Sequence, residues 1–78
     1  MILLEDTTMI RQQVSSSDLR SVGYDPTQSI LEIEFNNGGI YQYFNVPGNV
    51  YHGLMAASSH GKYFHAHIID HYQFDRMR

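Results

Sequence analysis

The chain contains no cysteine. Disulfides are therefore excluded as a source of stability, and the redox compartment is left open. No stretch approaches the ~20 apolar residues of a membrane span. The opening run Met1-Ile2-Leu3-Leu4 is cut short by Glu5 and Asp6, without the basic region and longer apolar stretch of a secretory signal. These features lead us to expect a soluble, cytoplasmic protein with no membrane association. Positive charge is also scarce. Five Lys and Arg face eight Asp and Glu, for a formal charge of -3, so the broad basic footprint of most nucleic-acid binders is missing. Glycine-rich phosphate loops and the His-Glu-x-x-His arrangement of zinc hydrolases are absent as well.

What is present points to a folded chain. The 78 residues fit one domain, and a 42% hydrophobic content with six Tyr and four Phe is too apolar for typical disorder. A chain this short buries only roughly 60% of its extended surface, so its core must be thin. The usual reinforcement that remains is a metal or a partner chain. Five histidines would lower the negative charge on mild acidification.

Residues 1–10 give little to read, 11–74 form the expected compact domain, and 75–78 read as a short tail. Ser17 could cap a turn, or Val14 could begin an edge strand. Leu19 to Tyr24 reads as a strand with Val22 and Tyr24 on one face. Asp25-Pro26-Thr27-Gln28 is a turn. A hairpin follows from Ile30 to Asn45. With Asn37-Gly38 as a two-residue loop, Phe35 would oppose Ile40, Ile33 would oppose Gln42 and Leu31 would oppose Phe44. That register puts Glu34 beside Tyr41 and Glu32 beside Tyr43 on the other, exposed face.

Val50, Leu54 and Ala57 then recur at helical spacing after Pro47, and Ser58, Ser59 and Gly61 mark a break. A second helical segment is expected from Lys62 to about Asp70, with Phe64 and Ile68 on one side. Tyr72 and Phe74 could close the fold. The fold class is therefore α+β: a three-stranded antiparallel meander followed by two helical segments packed on one sheet face. Leu31, Ile33, Phe35, Ile40, Phe44, Leu54, Phe64 and Ile68 are the expected core.

Several motifs resemble the small bacterial domain family named after the lysyl-tRNA synthetase C-terminus, the KTSC domain. They are Val14-x-Ser16-Ser17, Gly23-Tyr24-Asp25, Leu31-x-Ile33-x-Phe35, Gly39-x-Tyr41-Gln42-Tyr43-Phe44-x-Val46-Pro47 and Leu54-x-x-Ala57-Ser58-Ser59-x-Gly61-x-Tyr63-Phe64, with His67-Ile68 beyond. The resemblance spans Val14 to Tyr72. It implies a domain that occurs alone or appended to larger proteins, lysyl-tRNA synthetases included. It also implies a possible RNA-binding role tied to the aromatic pair. His60 stands where relatives often carry lysine, which removes a permanent positive charge, and His65 stands where they often carry a small polar residue.

Tyr41 and Tyr43 are the most distinctive candidate site. On an exposed sheet face they could stack unpaired bases, with Arg11, Arg20 and Lys62 as a local cationic patch. They could instead contact a protein partner or a second copy, or simply fill a small second core bonded to Glu32 and Glu34. Those glutamates would repel phosphate. The site residues are thus Tyr41, Tyr43, Glu32, Glu34, Arg20 and Lys62. The expected role is a non-catalytic interaction module that binds a protein partner or itself through this face or an exposed sheet edge, with accessory RNA binding as the alternative. His67 and His71 lie four apart, with His60 and His65 nearby, but this spacing alone is weak support for a metal. Ser58-Ser59-His60 are adjacent, which is not the geometry of a catalytic triad. No catalytic residue, metal or cofactor is expected.

Overall fold

The computed structural model describes residues 9–78. Residues 1–8, including the apolar run at Met1–Leu4 and most of the 1–10 segment, lie outside the described residues. One open antiparallel sheet runs in the order β1 (Gln12–Gln13), β2 (Leu19–Asp25), β3 (Ile30–Phe35), β4 (Ile40–Tyr43), β5 (Phe74–Arg76). Two helices, α1 (Gly48–Ala56) and α2 (His60–His67), connect β4 to β5 and pack on one face. The meander β2–β3–β4 stands where the alternation placed it. Two short edge strands extend it. β5 revises the reading of 75–78 as a tail: Tyr41 pairs with Arg76, and the Met77 N–H donates to the Ile40 carbonyl at 2.6 Å.

The turns follow from their side chains. Asp25 Oδ1 accepts from the N–H groups of Thr27 (2.9 Å) and Gln28 (3.2 Å), closing the β2–β3 turn as expected. The β3–β4 turn holds the main correction. Gly38 N–H donates to the Phe35 carbonyl and Phe35 N–H donates to the Gly39 carbonyl, so the loop is Asn36-Asn37-Gly38, one residue longer than the two-residue loop expected. Gly38 takes φ 94°, a conformation that costs glycine little. This is a type I turn closed by a left-handed residue. Asn37 Oδ1 supports it by accepting from the Gly39 N–H at 2.9 Å.

That one residue shifts the register of the whole hairpin. Leu31 pairs with Tyr43, Ile33 with Tyr41, Glu32 with Gln42 and Glu34 with Ile40. Every side chain of β4 therefore lies on the face opposite to the expected one. Tyr41 and Tyr43 join Leu31, Ile33 and Phe35 on the helix-covered side. Ile40 is buried on the second face beside Glu32, with Glu34 half-buried there, outside the main core cluster. Phe44 is half-buried, and Tyr43 occupies the core place expected of it.

The core joins Leu19 and Val22 of β2, Leu31 and Ile33 of β3, and Tyr43 of β4 to Val46, Leu54, Phe64 and Ile68. A bulge at Arg20 lets Leu19 and Val22 both face inward despite their odd spacing. Ser59 Oγ accepts from the Lys62 N–H at 3.2 Å and caps α2, which begins two residues earlier than the sequence reading placed it. His60 Nδ1–H donates to the Leu54 carbonyl at the end of α1 (2.8 Å), tying the helices together.

The second sheet face is held by polar groups. Glu32 is only 4% exposed, and its carboxylate pairs with Arg11 and accepts from Gln42 Nε2 at 2.8 Å. Arg11 Nε donates to Ser21 Oγ (2.8 Å), and the Ser21 hydroxyl donates to Glu34 (2.9 Å). Gly23 permits this arrangement, because a Cβ there would lie 2.7 Å from the Ile10 carbonyl oxygen. The chain before β1 thus crosses β2 closely enough for Arg11 to reach Glu32.

Candidate functional site

The helices cover the sheet incompletely. An open groove of about 600 Å³ lies between α2 and β5, over the end of β3 and over β4. Its floor and walls are Phe35 of β3, Tyr41 and Tyr43 of β4, Phe64 and Ile69 from α2 and its exit, and Phe74 of β5. Ser17, Asp18, Asn36, Asn37 and His65 form the polar rim.

The five aromatic rings make one connected array. Tyr41 and Tyr43 stack at 6.5 Å, and Phe74 lies 5.7 and 5.6 Å from them. Phe35 meets Tyr41 and Phe64 edge-on at 5.6 and 5.3 Å, and Phe64 meets Tyr43 edge-on at 5.7 Å. Edge-to-face and offset pairs are the favoured aromatic geometries, so the array is stiff as well as apolar. Phe64 is packed beneath, whereas Phe74 is 55% exposed and supplies the open wall.

The two tyrosines have different positions in this array. Tyr41 is half-buried, with the Arg76 guanidinium 5.6 Å above its ring. Tyr43 is 4% exposed and belongs to the core. Burial pushes the Tyr43 phenol up to about 12, and the neighbouring Tyr41 adds to the rise. Tyr43 therefore stays neutral at any physiological pH. It forms the floor of the groove and offers no free ring face.

The remaining expected site residues divide between two faces. Arg20 Nη2 donates to the carbonyl of Asn36, on the groove rim, at 3.1 Å. Lys62 borders a smaller hollow next to the groove, with Ser17, Asp18 and His65 shared between the two. His65 Nε2 lies 3.8 Å from Asp18 Oδ2. Glu32 and Glu34 are across the sheet, engaged with Arg11, Gln42 and Ser21. They do not flank the tyrosines, and Arg11 does not join a patch beside the groove. The groove residues that the sequence does not reveal are Phe35 and Phe74 as walls and Phe64 as floor. The alternation and helical spacing place Phe35 and Phe64 in the core, and Phe74 carries no signal beyond its position after α2.

The histidines are dispersed. His60 bonds α1, His65 faces Asp18, and His67 packs on Tyr63 at 4.5 Å. Among the described residues, no group of three or more His, Cys, Asp or Glu comes together to hold a metal ion. No helix among them is long and apolar enough to cross a membrane.

Comparison with known proteins fits this architecture. A solved KTSC domain protein from Yersinia pestis superposes with a TM-score of 0.87 at 39% identity, covering 91% of this chain and all of the other. A protein from Stutzerimonas stutzeri is 50% identical over 56 residues, 72% of this chain and 79% of the relative. A lysine–tRNA ligase from Nostoc is 34% identical over 83 aligned residues; the alignment covers 97% of this chain but only 15% of the ligase. The family model for the KTSC domain matches residues 15–72, from the serines before β2 through both helices, and the chain belongs to the KTSC domain family.

Proposed function

We propose that the domain is a non-catalytic interaction module that captures an apolar side chain of a protein partner in the groove between α2 and β5. The observation that carries this reading is the open aromatic wall at Phe74 and Tyr41, standing over a floor already sealed by Tyr43 and Phe64. A preformed apolar cleft with a few polar groups on its rim suits a side chain better than a bulky polar ligand. Tyrosine and phenylalanine supply much contact area with few rotors to immobilise.

Accessory RNA binding is the second reading, and two observations favour it. One is the likeness to a lysine–tRNA ligase. The other is that Glu32 and Glu34 lie on the far face, which removes the repulsion that their expected position beside the tyrosines implied. Base stacking nonetheless needs exposed ring faces. Tyr43 has none, and Arg76 occupies one side of Tyr41. The net charge of -3 also gives RNA no long-range attraction.

Amide spectra of the labelled domain separate the two. A short, terminally blocked peptide with a central phenylalanine should shift the signals of Tyr41, Phe64 and Phe74 in a saturable way. Labelled oligouridylate should bind at neither about 50 nor about 200 mM salt, whereas binding through phosphate contacts would show at the lower salt and fall steeply at the higher. Salt-dependent oligouridylate binding that is lost in Tyr41→Ala, with no response to the peptide, would overturn the protein-binding reading.

A further inference from the structure

The groove ends at β5, and β5 is an edge of the sheet. Its pairing with β4 fixes which of its backbone groups are used. Phe44 N–H donates to the Gln73 carbonyl, and Met77 N–H donates to the Ile40 carbonyl. In an antiparallel ladder the bonded residues alternate, so Gln73 and Asp75 turn their backbone groups toward β4, and past Arg76 both Met77 and Arg78 bond to Ile40. Phe74 and Arg76 then turn theirs outward. Among the described residues no strand lies beyond them. An outward row of backbone donors and acceptors next to an apolar groove is the arrangement used when an extended peptide adds itself to a sheet.

The side chains of β5 state what such a peptide should carry. Phe74 pairs with Tyr43 and Arg76 with Tyr41, so both lie on the groove face. Asp75 pairs with Gln42 and lies on the other face. Directly opposed residues on neighbouring strands interact, and opposite charges there are favourable while like charges are not. An antiparallel newcomer would meet Arg76, Asp75 and Phe74 in that order. Its complementary sequence, read from its N-terminus, is acidic, basic, then aromatic or branched aliphatic. The last side chain would lie beside Phe74 at the mouth of the groove.

A second copy of this chain fits the edge poorly. A two-fold pairing centred on Asp75 opposes two carboxylates, and one centred on Arg76 opposes two guanidinium groups. Centring on Phe74 would need Tyr72 and Gln73 as strand, and they lie outside β5. The charges thus guard the edge against self-pairing while leaving it complementary to another sequence.

We propose that β5 accepts an extended segment of a different protein, added antiparallel through Phe74 and Arg76, with an acidic–basic–apolar pattern that seats its apolar residue in the aromatic groove. This rests on the protein-binding reading above and goes further by naming the partner's backbone geometry and sequence chemistry.

The test uses blocked synthetic peptides and the full chain. A peptide with Glu-Lys-Phe at its centre should bind about ten-fold more tightly than one with Lys-Glu-Phe, and the Asp75→Lys/Arg76→Glu variant should reverse that order. N-methylation at the glutamate or the phenylalanine, whose amides would pair with the edge, should abolish binding. N-methylation at the lysine should be tolerated. The Phe74 and Arg76 amides should become protected from hydrogen exchange. Binding in the groove that ignores charge order and N-methyl position would overturn strand addition while sparing the groove reading. If no peptide shifts Tyr41, Phe64 or Phe74, both readings fail. Doubling of mass in the free domain, with shifts at Phe74 and Arg76, would make a second copy the occupant and overturn the proposal.

Discussion

The two faces of this sheet are built from the same strands by different physics. On the helix side, Leu31, Ile33 and Tyr43 alternate inward and are held by apolar contact with Leu54, Phe64 and Ile68. On the other side, Glu32 is as well buried as Tyr43 but is held by Arg11 and Gln42, while Ser21 donates to Glu34. The first face has more apolar surface than its two helices cover, and the excess is the groove. On the second face the two carboxylates of β3, Glu32 and Glu34, are each matched to donors that reach them. A face satisfied in this way has little to offer a partner, whereas one with uncovered aromatic rings does. On the proposed reading, binding capacity in so small a domain follows from where the helices stop.

The comparison can be broken most sharply at Phe64, which serves both core and groove. Phe64→Ala should cost roughly 3–5 kcal/mol, enough to leave much of so small a domain unfolded. Urea denaturation followed by circular dichroism measures this. A loss below ~1 kcal/mol would mean that the helix face is not the main source of stability.

The polar face should give a smaller loss with a different signature. Glu32→Ala leaves the Arg11 guanidinium half-buried without its main partner, at a cost of roughly 2–4 kcal/mol. Replacing both Arg11 and Glu32 by methionine should recover a large part of that loss, because no unpaired charge then remains. A double-mutant cycle in urea would show it. Additive losses from the two single changes would mean the pair is not coupled.

Alkaline pH tests the burial of Tyr43 directly. Its phenol is raised to about 12 in the folded chain, against about 10 when exposed. The neutral form is the one the fold accommodates, so its contribution is fully present below about pH 10. It is lost as pH rises toward 12, by an amount on the order of 2–3 kcal/mol. Tyr43→Phe should lack that part of the alkaline loss. Identical pH profiles for the two proteins would show that Tyr43 is not buried.

Gly38→Val should have the smallest effect on stability, about 1–2 kcal/mol, because it forces a β-branched residue to positive φ. The loss should leave the pairing unchanged, because the two-residue alternative Asn37-Gly38 would also need positive φ at Gly38 and is strained by valine as well. Amide spectra should show one form of β4; two slowly exchanging forms would mean that the turn does not set the register.

Much of the architecture was legible in the sequence, because it rests on local signals. The alternation in Leu31-x-Ile33-x-Phe35, the Asp25-Pro26 turn and the Leu54 and Phe64 spacings each name an element without reference to the rest of the chain. The faces of β4 were not legible in the same way. Asn36-Asn37-Gly38-Gly39 can close as a two- or a three-residue loop, and both place a flexible residue where one is needed. Both registers also bury apolar residues: Ile40 and Phe44 in one, Tyr41 and Tyr43 in the other. The choice is made by tertiary contacts, with Phe64 receiving Tyr43 on one side and Glu32 receiving the Gln42 amide on the other. β5 was illegible for a related reason. Phe74-Asp75-Arg76 is too short for alternation to show and is strand only because Tyr41, Gln42 and Tyr43 are there to pair with it.

Adjacent residues of β4 allow the most direct test of the claim that binding belongs to the groove face. Tyr41 points into the groove and Gln42 into the polar face, one residue apart on the same backbone. Affinity for the Glu-Lys-Phe peptide should be measured by calorimetry in Tyr41→Ala and in Gln42→Ala, each first shown by its amide spectrum to keep the fold. We expect Tyr41→Ala to weaken binding about ten-fold or more, by loss of a buried aromatic contact, and Gln42→Ala to bind as the unaltered domain does. Equal losses in the two variants, or a loss confined to Gln42→Ala, would contradict the assignment of the binding face.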